Sequence, residues 1–191
     1  MASDRIPNQM TVEAYLRYEQ ETGIKHEYID GEIFAMAGGS RRHNTIASNC
    51  SGELRQRLRD SSCQAFNSDA KVKISDIKYV YPDFTVVCGE QRYADAAETM
   101  LLNPTLVGEV MSPSSADYDQ GTKATYYRSL PTLQAYLLPD QDKSYAQLYT
   151  RQATGWLLQE FDTLESILPL EAIIGCNLPL SEIYLNVFHN E

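Results

Sequence analysis

Two short apolar runs, each interrupted by a single acid, constrain this chain more than any other feature. They are Tyr79-Val80-Tyr81-Pro82-Asp83-Phe84-Thr85-Val86-Val87 and Thr105-Leu106-Val107-Gly108-Glu109-Val110-Met111. Their β-branched and aromatic content, bounded by Asp76 or by Asn103-Pro104 and Ser112-Pro113, predicts buried strands. A carboxylate inside such a strand is costly unless something cationic compensates it. Two of them, followed by Lys123 on a predicted helix, point to a metal site. Mg²⁺ takes one or two protein carboxylates and leaves the rest of its shell to water and phosphate oxygens. A lysine close by orients the water or offsets charge in the transition state.

The length of 191 residues fits one domain. We read residues 1–10 as a loose tail and 11–191 as a single domain. With 43% hydrophobic and 22% charged residues the chain can bury a sizeable core. No apolar stretch reaches the roughly 18 residues of a membrane helix. The N-terminus lacks an apolar secretory region, and Cys50, Cys63, Cys88 and Cys176 lack CxxC spacing. Together these predict reduced, mostly buried thiols in a cytoplasmic protein.

The net charge of −10 is uneven: residues 1–80 balance 11 cations against 11 acids, whereas residues 81–191 carry 5 cations and 15 acids. That pattern argues against tight, salt-sensitive binding to a long duplex, yet it permits a local groove assisted by divalent cations. A homodimer that pools the basic patches would offset the acidity.

Thr11 is placed to N-cap a helix running to about Glu21, which Gly23 stops. Lys25 to Met36 reads as a hairpin around Asp30-Gly31. Ser40 is placed to cap a second helix, where Ile46, Cys50, Leu54 and Leu58 form one buried stripe. Strands follow near 63–67 and 70–74, then the Asp83 run, and then a polar stretch from Gly89 with a short helical turn near 94–101. After the Glu109 run come a helix from about Asp117 to Ser129, three strands near 133–138, 145–151 and 155–161, and a final helix from about Leu180. This order predicts an α/β fold with a mixed sheet and helices on its faces.

Ser40-Arg41-Arg42-His43-Asn44 combines the free N–H groups of a helix start with two cations, so Arg41, Arg42 and His43 are candidate contacts for nucleic-acid phosphate. His43 could also accept a proton. His26 and His189 are weaker candidates. A serine hydrolase is disfavoured, because Ser112–Ser115 has no adjacent His–Asp pair. Gly38-Gly39 is too short for a nucleotide-binding loop.

Several blocks resemble one bacterial family: Glu27-Tyr28-Ile29-Asp30-Gly31-Glu32-Ile33, Tyr81-Pro82-Asp83, the stretch from Asn103 to Ser115, and Asp117 to Arg128. Leu133 to Leu138 and Ile174 to Leu180 fit it too. It is a family of proposed restriction endonucleases, formerly a domain of unknown function, with the PD-(D/E)XK nuclease fold. The resemblance covers roughly residues 11–188. It implies a restriction-endonuclease-like fold, Mg²⁺ or Mn²⁺ as cofactor and DNA as substrate. It further implies Asp83 and Glu109 as metal-binding catalytic acids and Glu32 as an additional acid. The superfamily lysine belongs two residues after the glutamate, where this chain has Met111, so the resemblance implies that Lys123 has taken over its charge. A catalytically inactive binding or regulatory module of the same fold is the alternative. Hydrolysis of a small phosphorylated or nucleotide substrate is a third reading.

Overall fold

The computed structural model describes residues 5–6, 9–36 and 38–188. His189 and most of the tail expected over residues 1–10 lie outside the described residues. The first half runs β1 (Arg5–Ile6), α1 (Val12–Thr22), β2 (His26–Ile29), β3 (Glu32–Ala35), α2 (Arg41–Arg57), β4 (Cys63–Asn67), β5 (Lys71–Ser75), β6 (Lys78–Val80), β7 (Phe84–Cys88) and β8 (Met100–Leu101). Then come β9 (Leu106–Gly108), α3 (Ala116–Tyr118), a π-helical turn at Asp119–Lys123, α4 (Ala124–Arg128), β10 (Ala135–Pro139), β11 (Ala146–Gln152) and β12 (Gly155–Phe161). The chain closes with β13 (Ile167–Leu168), α5 (Glu171–Ile174), β14 (Leu178–Pro179) and α6 (Leu180–Ile183). No helix among the described residues is long and apolar enough to cross a membrane.

The caps expected from the sequence are in place. Thr11 Oγ1 accepts the Ala14 N–H at 3.2 Å, and Gly23 ends α1 with φ of 66°. Ser40 Oγ accepts the His43 N–H at 3.1 Å and starts α2. Asp30 and Gly31 both have positive φ, 53° and 96°, which is what a two-residue hairpin with right-handed strand twist requires.

Two six-stranded sheets carry the fold, β1-β3-β2-β6-β5-β8 and β12-β11-β10-β9-β7-β4. The second is mixed: β9 and β10 run parallel, and the other neighbours antiparallel. One face of this sheet packs against α2, α5 and α6, through Ile46, Cys50 and Leu54 against Leu106, Leu137 and Leu148. The other face packs against α4 and part of the first sheet, where Tyr127, Val107, Tyr136 and Val72 meet. The second sheet is therefore covered on both sides, which explains why its central strands are nearly continuous apolar runs. Helix α1 covers the first sheet through Tyr15, Tyr28, Ile33 and Tyr79.

Three expectations need correction. The run Tyr79–Val87 is not one strand: β6 belongs to the first sheet and β7 to the second, and Tyr81-Pro82-Asp83 links them. Pro82 has no N–H to give to a ladder, so the chain changes sheet there. Met100–Leu101 does not join a helical turn; it forms β8, parallel to β5. Cys63 and Cys88 are not free thiols but a disulfide, because the β4–β7 register sets them face to face with Cα atoms 3.9 Å apart. Cys50 and Cys176 are free and buried.

Glu19, on α1, ties that helix to the first sheet and to the link between the sheets. Its carboxylate pairs with the buried Lys71 ammonium on β5. It also accepts the Tyr81 hydroxyl at 2.8 Å and the His26 N–H at 3.0 Å. The Lys71 ammonium lies over the rings of Tyr15 and Tyr81.

Candidate active site

The β7–β9 ladder places the first two acids. Phe84 pairs with Gly108, so Asp83 and Glu109 leave this rung at the same end of the sheet. Gly108 is required there: a Cβ at this position would collide with the Phe84 ring. Asp83 Oδ2 accepts the Val110 N–H at 2.7 Å, which seats its carboxylate against the backbone just beyond Glu109.

Lys123 closes the arrangement from the π-helical turn. Its ammonium lies 2.8 Å from Glu109 Oε1 and 2.8 Å from Glu27 Oε1, the latter without the alignment of a hydrogen bond. Nζ thus sits between Glu109 and Glu27, and its side chain is only 8% exposed. The Tyr127 hydroxyl donates to Glu109 Oε1 at 2.6 Å from the next helical turn. Met111 is buried in the apolar layer beside Tyr127 and Val107 and carries no charge to the site.

His43, near the start of α2, brings Nε2 to 3.2 Å from Asp83 Oδ2. Asp119 is buried beside Lys123, and the Tyr136 hydroxyl donates to its backbone carbonyl at 3.1 Å. Glu27, Asp83, Glu109, Asp119, His43 and Lys123 all line one cleft of about 660 Å³.

The electrostatics follow from this crowding. Burial pushes Glu109 well above the usual carboxylate range, Asp83, Asp119 and Glu27 add to the rise, and Lys123 opposes it. Burial and the same acids also raise Asp119. For Lys123, burial favours the neutral amine, but Glu109, Glu27 and Asp119 outweigh it and hold the ammonium charged well above its ordinary value. Burial likewise opposes protonation of His43, and Asp83 overcomes it, raising the imidazole. Four carboxylates thus share one lysine and one histidine.

This acid surplus provides the test of fit for a cation. Among the described residues no three His, Cys, Asp or Glu side chains are grouped so as to hold an ion unaided. A hard divalent ion that takes two carboxylates and completes its shell with water and phosphate does not need a third. Asp83 and Glu109, on adjacent strand ends with all-oxygen donors, fit that class and would not suit a thiolate-seeking metal.

Of the residues expected from sequence, the structure brings together Asp83, Glu109, Lys123 and His43. Glu32 stands at the turn end of the hairpin, opposite Ile29 and outside the cleft, while Glu27, opposite Phe34, points into it. Arg41 donates to the Val187 carbonyl at 3.1 Å. Arg42 lies 3.5 Å from Asp142 and stacks over Phe188. Neither arginine lines the cleft. Glu27 and Asp119 were not singled out from sequence. The signal for Glu27 was hairpin register, since alternation from the buried His26 and Tyr28 puts Glu27 on the other face.

A mixed sheet whose one end gathers acids and a lysine from separate elements, flanked by helices on both faces, defines a restriction-endonuclease-like fold. The chain belongs to the Uma2 family, described as "Putative restriction endonuclease", whose model matches residues 12–181. It is similar to two proteins from Synechocystis, named as uncharacterized proteins sll1609 and slr1290. The first is 36% identical over 79% of this chain and 86% of its own length. The second is 35% identical over 92% of both. A crystal structure from Anabaena variabilis, of a putative nuclease belonging to DUF820, has the same fold. Its TM-score is 0.75 at 18% identity, covering 94% of this chain and 99% of that one.

Proposed function

We propose that this protein is a divalent-metal-dependent endonuclease that hydrolyses DNA phosphodiester bonds. The observation that carries the reading is the surplus of carboxylates around Lys123 at the end of the β7–β9 ladder. Asp83 and Glu109 would hold Mg²⁺ or Mn²⁺. Bound there, the ion would polarise the phosphoryl group and ease deprotonation of the attacking water. Lys123, kept charged by Glu109 and Glu27, would hydrogen-bond and orient that water. Tyr127 would fix the Glu109 rotamer, and Glu27 would hold Lys123 from the other side. His43, whose charge Asp83 favours, would contact the phosphate. The water oxygen attacks phosphorus, one P–O bond breaks, and the leaving oxygen departs with the proton.

Asp83→Ala tests the assignment. It is expected to remove Mg²⁺ binding by calorimetry and to lower DNA cleavage by about 10³-fold or more, roughly 4 kcal/mol of transition-state stabilisation. Undiminished cleavage by this variant overturns it.

A binding or regulatory module of the same fold is the second reading, favoured by the neutral, buried Met111 at the expected lysine position. Calorimetry separates the two: no heat of binding with millimolar Mg²⁺ or Mn²⁺ supports the module.

A further inference from the structure

We propose that the cleft takes single-stranded DNA in preference to duplex, with Tyr118 as the ring on which a base stacks. The proposal rests on the nuclease reading above and concerns the form of its substrate.

The first support is the distribution of positive charge. Duplex binding usually draws on about 6–10 phosphate contacts from lysine and arginine. Lys123 is the only lysine or arginine among the described residues lining the cleft, and Glu27 and Glu109 already engage it. Outside the cleft, Lys25, Lys73 and Lys78 are paired with Asp69, Asp76 and Asp30. Arg128 and Arg151 donate to backbone carbonyls and lie over Tyr149 and Trp156. Among the described residues the cleft itself thus has no further lysine or arginine to follow a second strand, and the chain as a whole carries a charge of −10.

The second support is the shape and chemistry of the cleft. Its volume of about 660 Å³ suits one or two unpaired nucleotides. Along with the acids, Phe34, Met36, Pro113 and Tyr118 give the cleft apolar lining. Tyr118 is 37% exposed, and among the described residues no other ring or cation stacks on it. An aromatic ring beside a metal-binding pair suits an unpaired base. Stacking contributes about 1–3 kcal/mol per base and requires no cation. A base-paired strand keeps its faces stacked in the helix and offers none to the ring.

Fluorescence anisotropy on the full chain tests the proposal. One dye-labelled oligonucleotide is used both single-stranded and annealed, with Ca²⁺ in place of Mg²⁺ and across a salt series. The single strand is expected to bind about tenfold or more tightly than the duplex, with a shallow salt slope of about −1 to −2. Tyr118→Ala should weaken single-strand binding by about 5- to 150-fold, and Tyr118→Phe should restore it. Equal or tighter duplex binding overturns the proposal, as does a salt slope matching about six phosphates or more. Wild-type affinity in a folded Tyr118→Ala also overturns it. If the duplex is preferred and is cleaved in Mg²⁺, the inference falls and the nuclease reading stands. If neither oligonucleotide binds, both fall.

Discussion

Two buried lysine–glutamate clusters lie on either side of the Tyr81-Pro82-Asp83 link, and they are built on opposite principles. Beneath a second cleft of about 810 Å³, Glu19 faces Lys71, and its oxygens also take the Tyr81 hydroxyl and the His26 N–H. On the wall of that cleft, Asp95 accepts from Thr99 N, Thr99 Oγ1 and Met100 N at 2.9, 2.6 and 3.0 Å. These donors outweigh burial and lower its pKa. Each of these acids is answered. In the first cleft Glu27, Asp83, Glu109 and Asp119 share one ammonium and one imidazole, and Glu109 and Asp119 are raised instead. Saturated acids hold a scaffold together, whereas unsaturated ones are left waiting for a further cation. A buried ion pair by itself would not distinguish the two; the count of donors per carboxylate does.

The comparison can be broken most sharply at Lys71. Lys71→Ala leaves Glu19 buried without its cation and is expected to cost about 3–5 kcal/mol, read as a lower urea midpoint. A loss below about 1 kcal/mol would show that the saturated cluster is not a scaffold. The opposite sign is expected in the other cleft. Glu27→Gln removes surplus charge and should stabilise the metal-free protein by about 0.5–1 kcal/mol while lowering cleavage, the usual trade between a site and stability. Destabilisation in EDTA would refute the surplus. The smallest effect is at Asp95. Asp95→Asn, at a half-buried position, should cost about 0.5 kcal/mol at neutral pH. Because the folded pKa lies below the ordinary 3.8, this contribution is present above that value and lost as pH falls through the folded pKa. The gap between wild type and variant should therefore close in acid, which a denaturation series across pH will show.

The same contrast separates what could be read from sequence from what could not. Asp83 and Glu109 were legible because a charge in an apolar run is locally anomalous. Thr11, Ser40 and Asp30-Gly31 were legible because caps and tight turns are written in adjacent residues. Glu27 was harder to pick: it shares one face of a short hairpin with Glu32, and its place away from the turn, opposite Phe34, is what sets it in the cleft. Arg41 and Arg42 looked like phosphate ligands from their place at a helix start, but contacts with Val187, Phe188 and Asp142, distant in sequence, turn them elsewhere. The change of sheet at Pro82 and the Cys63–Cys88 pairing are likewise products of long-range register, which local propensity does not encode.

The π-helical turn at Asp119–Lys123 carries a consequence of another kind. Such turns hold one residue more than an α-helix would, and they recur at functional sites. Each residue of an α-helix advances the side-chain bearing by about 100°. Loss of the one extra residue between Asp119 and Thr122 would let the helix wind regularly through that turn and keep Lys123 and the helix beyond it on nearly the same bearing. The turn is thus where this helix can absorb a one-residue change in length. A one-residue deletion between Lys123 and Tyr127 has no such slack: it would turn one side chain by about 100° relative to the other, so that Lys123 and Tyr127 could no longer both meet Glu109.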